Sequence, residues 1–78
     1  MIEFIRKAVR TPGKEVSFVR LTEAEKSILA DIVYTYKRQK VDTSENQINR
    51  IAINFLINDY QENGEASILA KVIAAINA

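Results

Sequence analysis

The chain has 78 residues and a formal net charge of +1, and it contains neither cysteine nor histidine. Without thiol or imidazole groups it has no disulfides and none of the usual zinc ligands, and it lacks a glycine-rich phosphate loop, so we expect no enzyme, no metal and no cofactor. No apolar run approaches the roughly 18 residues of a membrane span, so we expect no membrane association.

Charge is unevenly distributed along the chain. Residues 1–40 contain nine Lys and Arg against five Asp and Glu, whereas residues 41–78 contain two against five. This difference of +4 against −3 predicts one basic and one acidic face, and the alternative is chance clustering on a solvated surface.

Residues 1–14 form a leader that ends in a turn signal at Thr11-Pro12-Gly13. Its apolar residues Ile2, Ile5 and Val9 have helical spacing, which fits either a short helix or a mobile arm. The leader is basic, and basic arms can contact DNA phosphates. Its basic residues are Arg6, Lys7, Arg10 and Lys14.

Residues 15–21 (EVSFVRL) form the one strand-like run in the chain. A lone strand leaves its backbone N–H and C=O groups unpaired, and no second strand is available within the chain. The simplest remedy is the same strand of a second copy, paired about a two-fold axis. The sequence therefore predicts a homodimer with a two-stranded antiparallel ribbon.

Two helices follow the strand, and each begins at a capping-box signal. Thr22 with Glu25 predicts the start of a helix over residues 23–39, and Ser44 with Gln47 predicts the start of a helix over residues 45–61. Apolar residues cover more than half of the circumference of the second helix, which indicates burial on several sides. A 78-residue monomer cannot enclose such a helix, but a partner subunit can.

A third helix is predicted over residues 65–77, after a stop signal at Glu62-Asn63-Gly64. It is short and rich in alanine and isoleucine, so we expect it to dock on its own dimer or on another protein. The predicted divisions are a basic leader (1–14), a strand-helix-helix domain (15–61) and a C-terminal extension (62–78).

The order strand, capping box, helix, turn, capping box, helix over residues 15–60 resembles the ribbon-helix-helix superfamily of dimeric DNA-binding proteins. The segments that carry the resemblance are Val19–Glu23, Thr43–Ile48 and Arg50–Ile53. The added third helix is similar to the layout of certain small proteins of archaeal spindle-shaped viruses. The resemblance implies a mainly α homodimer in the cytoplasm, or in the host cytoplasm if the protein is viral.

The resemblance also implies roles for individual residues. On the ribbon, Val16, Phe18 and Arg20 would face the major groove of DNA, with Arg20 reading a guanine edge or gripping a phosphate. The free N–H groups of Ser44, Glu45 and Asn46 would bind a phosphate at the start of the second helix. The core of the dimer would contain Val19, Leu21, Ile48, Ala52, Phe55 and Leu56.

Three of these residues have alternative interpretations. Val16 and Phe18 offer only apolar contact, so their face could touch thymine methyl groups, be covered by the leader, or bind another protein. Glu45 could act only as a helix-capping carboxylate, because its charge competes with an approaching phosphate.

The leading hypothesis is a homodimeric regulator of transcription, a repressor or partition-type protein, that binds double-stranded DNA. The alternative is a protein-interaction module that keeps the dimeric fold and binds its partner through the third helix.

Overall fold

A computed structural model describes all 78 residues of the chain. It is mainly α, as expected, with four helices: α1 (Ile2–Arg10), α2 (Glu23–Arg38), α3 (Glu45–Asn63) and α4 (Ile68–Ile76). A 3₁₀ turn at Gly64–Ala66 joins α3 to α4. The chain divides into two compact units: unit 1 contains Met1–Thr11 and Arg50–Ala78, and unit 2 contains Pro12–Asn49.

The predicted strand over residues 15–21 is absent. These residues have no regular secondary structure in the single chain, and no backbone hydrogen bond involves any residue from 12 to 21. The physical reason is that a strand is stabilised by hydrogen bonds to a neighbouring strand, and the chain provides none. The leader, which could have been a helix or an arm, contains helix α1.

Both ends of α2 are closed by local hydrogen bonds. At its start, the Thr22 hydroxyl accepts from the Glu25 amide at 3.1 Å, and the Glu25 carboxylate accepts from the Thr22 amide at 2.8 Å, which confirms the predicted capping box. At its end, Lys40 has a φ of 61°. The amides of Lys40 and Val41 donate to the carbonyls of Lys37 and Tyr36 at 3.0 and 2.9 Å, the pattern of a Schellman motif.

The second predicted capping box forms only in part. The Ser44 hydroxyl accepts from the Gln47 amide at 3.1 Å, as expected for a helix that begins at Glu45. The Gln47 side chain, however, does not reach back to the Ser44 amide, because its Oε1 accepts from the Thr43 hydroxyl at 2.6 Å. Helix α3 then continues to Asn63, and Gly64 ends it with a φ of 51°, as the stop signal predicts.

In unit 1, Arg50 of α3 holds the C-terminal end of α1. Its guanidinium donates to the carbonyls of Ala8 at 2.9 Å, Val9 at 3.4 Å and Thr11. The last carbonyls of a helix have no partner within the helix, and they carry the negative end of its dipole. Arg50 donates hydrogen bonds to these carbonyls and places its positive charge at the negative end of the helix dipole, so it fixes α1 against α3.

Asp59 of α3 binds the N-terminal end of α4. It is only 6% exposed, and its Oδ2 accepts from the amides of Ile68 at 2.8 Å and Leu69 at 3.4 Å. Its Oδ1 accepts from the Asn63 side chain at 3.0 Å. Ser67, which is fully buried, adds a cap through its hydroxyl, which accepts from the Ala70 amide at 3.1 Å. The third helix thus begins at Ile68, three residues later than predicted.

No apolar side chain of the chain is buried; the buried residues are Asn58, Asp59 and Ser67. The chain exposes 6945 Å², whereas one compact body of its mass would expose about 4,800 Å², and two separate compact bodies of half that mass about 5,800 Å² together. For either arrangement of the two units, the single chain therefore exposes at least about 1,100 Å² more surface than compact folding would.

Candidate nucleic-acid interface

The three residues predicted to face DNA from the ribbon, Val16, Phe18 and Arg20, are all exposed. Phe18 is the extreme case, with 91% of its surface accessible. Arg20 forms no ion pair and no hydrogen bond with any other side chain, so its guanidinium is free to bind an external acceptor.

The other side of the same segment carries the predicted core residues Val19 and Leu21. Together with Lys26 and Ala30 of α2 they line an open recess of about 600 Å³ within unit 2. Val19 and Leu21 are both exposed in the single chain. The segment contributes the apolar side chains of this recess, whereas α2 contributes Ala30 and the polar residues Glu23, Lys26 and Ser27.

The start of α3 carries the predicted phosphate-binding residues Ser44, Glu45 and Asn46. Glu45 is paired with Lys26 of α2, with Nζ 2.8 Å from Oε2. Its other carboxylate oxygen, Oε1, is buried and has no hydrogen-bond partner. Lys26 offsets the negative charge that would repel a phosphate, although an ion pair this exposed contributes only about 0–1 kcal/mol to stability.

Three of the basic residues of the leader, Arg6, Lys7 and Arg10, line one shallow recess on α1 together with Glu3. Arg6 pairs with Glu3 of α1 at 2.8 Å, whereas Lys7 and Arg10 have no acidic partner. These three belong to unit 1, and Lys14 lies in unit 2 with Arg20 and the start of α3. Lys7 and Arg10, three residues apart on a helix, share one face and lie at the rim of a shallow recess on α1.

The residues predicted to form the dimer core on α3 are partly or largely exposed in the single chain. Phe55 and Leu56 are each close to 40% accessible, and Ala52 is also exposed, while Ile48 is half-buried. Each therefore retains apolar surface that a second chain could bury.

Sequence reasoning missed Arg50, Asp59 and Ser67 as organising residues. Ser67 precedes an apolar run and so has a readable signal as a helix cap. Arg50 and Asp59 are two of the four charged residues of α3, and no local pattern distinguishes them because their partners are distant in sequence.

Other classes of site are not supported by the geometry. The chain has no cluster of three or more acidic side chains that could hold a metal ion. None of the helices combines the length and the apolarity needed to cross a membrane. No family model, curated protein or solved structure matches the chain.

Proposed function

We propose that the protein is a homodimer that binds double-stranded DNA and regulates transcription, with a ribbon-helix-helix architecture completed only when two chains meet. Residues 15–21 of the two copies pair as an antiparallel ribbon, and the ribbon enters the major groove, which is wide enough for two strands. The third helix, α4, is an addition to this architecture.

The observation that carries the proposal is the unpaired state of residues 15–21. Their backbone makes no hydrogen bond, and their apolar residues Val19 and Leu21 line an open recess. Pairing with a second copy satisfies both needs at once, because a two-fold ribbon supplies the hydrogen bonds and brings the partner's apolar side chains to the recess.

The alternation of side chains along the ribbon then determines which residues contact DNA. If Val19 and Leu21 face the shared core, Phe18 and Arg20 face outwards, because successive side chains of a strand point to opposite sides. Arg20 has the free donors for a guanine edge or a phosphate, and Phe18 has only apolar surface, which fits a thymine methyl group.

Two further surfaces support DNA binding over other partners. Lys26 neutralises Glu45, so the free amides at the start of α3 remain suited to a phosphate. Lys7 and Arg10 have no acidic partner and sit on a helix that Arg50 holds in place. A fixed basic helix loses less conformational entropy on binding phosphates than a mobile arm does.

The test is Arg20→Ala in a mobility-shift titration on duplex DNA at several salt concentrations, after selection of a preferred sequence from random duplexes. A guanine contact predicts a loss of about 1–3 kcal/mol of binding free energy and relaxed preference at one base pair. A phosphate contact instead predicts uniform weakening, with the slope of log K against log salt concentration reduced by about 0.9.

Lys71→Ala is the matched control, because it removes one positive charge from α4 without touching the ribbon segment. The control should change DNA affinity far less than Arg20→Ala. Equal affinities of the wild type and Arg20→Ala at every salt concentration would remove the ribbon from the binding mechanism.

A further inference from the structure

Unit 1 contains an apolar groove that the proposed ribbon does not use. The groove has a volume of about 370 Å³ and lies between α3 and α4. It is called the α3–α4 groove below. Its lining residues are Ile53, Leu56, Ile57, Tyr60, Gln61 and Leu69.

The groove lies on a separate face of α3 from most of the predicted dimer core. At 100° per residue, Ile53, Ile57 and Tyr60 centre about 140° around the helix from Ile48, Ala52 and Phe55. A partner that covers the face of Ile48, Ala52 and Phe55 leaves the groove face of α3 exposed to water. A ribbon-centred contact alone therefore does not account for the exposed apolar surface of α3.

Helix α4 presents an aliphatic edge next to the groove. Ile68, Val72 and Ile76, spaced four residues apart, are 57%, 48% and 75% exposed, and no charged residue lies among them. This set is called the α4 edge. Lys71, the one charged residue of α4, is about 100° around the helix from Val72 and about 60° from Ile68, so it flanks the edge at its N-terminal end.

We propose that the α3–α4 groove receives the α4 edge of a second copy of the chain, and that the exchange is reciprocal. The lengths agree: the α4 edge spans about 12 Å from Ile68 to Ile76, and the groove spans about 10.5 Å from Ile53 to Tyr60. The α4 edge and the α3–α4 groove occur in the same unit. A two-fold axis therefore brings the α4 edge of each copy to the groove of the other, as an isologous interface requires.

Charge and area favour a second copy over an unrelated protein. Neither the edge nor the groove contains a charged side chain, so two identical faces meet without repulsion. The surface that the chain exposes beyond compact folding, at least about 1,100 Å², exceeds the roughly 800 Å² per partner of a standard interface. A chain with no buried apolar residue needs its partner whenever it is folded, and another copy is always made with it.

The absence of native cysteine allows a direct test with single-cysteine variants. Ile57→Cys in an isotopically labelled chain is mixed with unlabelled Val72→Cys, unfolded and refolded together, and oxidised. The proposal predicts a mixed disulfide identified by its mass, since the two Cα atoms must come within about 7 Å. Lys71→Cys with Ile57→Cys is the matched control and should give at least tenfold less mixed product.

A second measurement does not rely on disulfide geometry. Val72→Glu places a charge on the exposed α4 edge without disturbing a buried group, and it should weaken self-association at least tenfold in sedimentation equilibrium. Lys71→Glu should have a much smaller effect. If Val72→Glu associates as tightly as the wild type, or if the mixed disulfide is no more abundant than in the control, the second copy is not the occupant and a different protein becomes the candidate.

The outcome is independent of DNA binding. Arg20→Ala should leave the mixed disulfide unchanged. Cross-linking without DNA binding would overturn the proposed function alone, and DNA binding without cross-linking would overturn this inference alone.

Discussion

Lys40 holds a backbone conformation that residues with a Cβ atom rarely adopt. Its φ of 61° lies in the left-handed region, where contact between Cβ and the carbonyl oxygen costs an L-residue about 1–2 kcal/mol. The conformation is required because the Schellman motif brings the Val41 amide back to the Tyr36 carbonyl. The sequence places Lys where helix C-termini usually have Gly.

Replacing this residue with glycine should therefore stabilise the protein. We expect Lys40→Gly to raise the free energy of unfolding by about 0.5–1 kcal/mol, because relief of the strain outweighs the extra freedom of glycine in the unfolded chain. Urea unfolding at one fixed protein concentration measures the change. Lys40→Ala is the control, since it removes the charge but keeps Cβ. A Lys40→Gly variant no more stable than Lys40→Ala would show that the strain is not present in solution.

At the scale of elements, α4 depends on α3 for its N-terminal hydrogen bonds. The Asp59 carboxylate accepts the amides of Ile68 and Leu69, and it is almost fully buried. Helix α4 has nine residues, which is too short for a stable isolated helix. Its position therefore depends on this carboxylate and on the Ser67 cap.

Asp59→Ala should loosen α4 specifically. Removing the carboxylate leaves two amides without acceptors, and we expect a loss of about 1–3 kcal/mol in the free energy of unfolding. Hydrogen exchange at Ile68 and Leu69 should accelerate more than at α2 amides. Glu62→Ala provides the control, since Glu62 is an exposed acid on the same helix without a hydrogen-bond partner. Unchanged protection at Ile68 in Asp59→Ala would mean that the carboxylate does not hold α4.

What the sequence predicts at this scale depends on the range of the interaction. The start of α2 is predictable because Thr22 and Glu25 are three residues apart and bond to each other's amides. The start of α4 is predicted too early because residues 64–66 form a 3₁₀ turn and the cap is Ser67. The predicted strand is absent because the chain offers it no second strand to pair with, and the alternation of its side chains does not supply that partner.

In the candidate site, too, local interactions can be predicted from the sequence and long-range ones cannot. Arg20, Val16 and Phe18 are exposed, as are all residues from 10 to 28, so their outward position on a ribbon stays a prediction from the alternation of side chains along a strand. The Lys26–Glu45 pair and the Arg50 bonds to α1 join residues 19 or about 40 positions apart. Such pairs depend on how helices pack, so neither the Lys26–Glu45 pair at the start of α3 nor the Arg50 bonds that hold α1 can be derived from local patterns.

At the scale of the whole molecule, the lack of any buried apolar side chain is the dominant fact. Burial of apolar surface is the main favourable term in folding, worth about 25 cal/mol per Å². The isoleucines, leucines and phenylalanines are at most partly buried, so the single chain gains only part of this term. If folding is coupled to association, as proposed above, stability depends on protein concentration.

This coupling gives the last prediction. If the folded species is a homodimer, each tenfold increase in protein concentration adds about 1.4 kcal/mol to its stability, which should raise the melting temperature by roughly 3–5 °C for a pair of chains of this size. Circular dichroism from micromolar to hundred-micromolar protein, with the mass from sedimentation equilibrium, measures both quantities. Leu21→Glu, which puts a charge at the predicted core, should lower the melting temperature and the mass, whereas Glu62→Gln should change neither. A melting temperature independent of concentration, with a mass of 8.8 kDa, would show that one chain folds alone and would leave the ribbon without a partner.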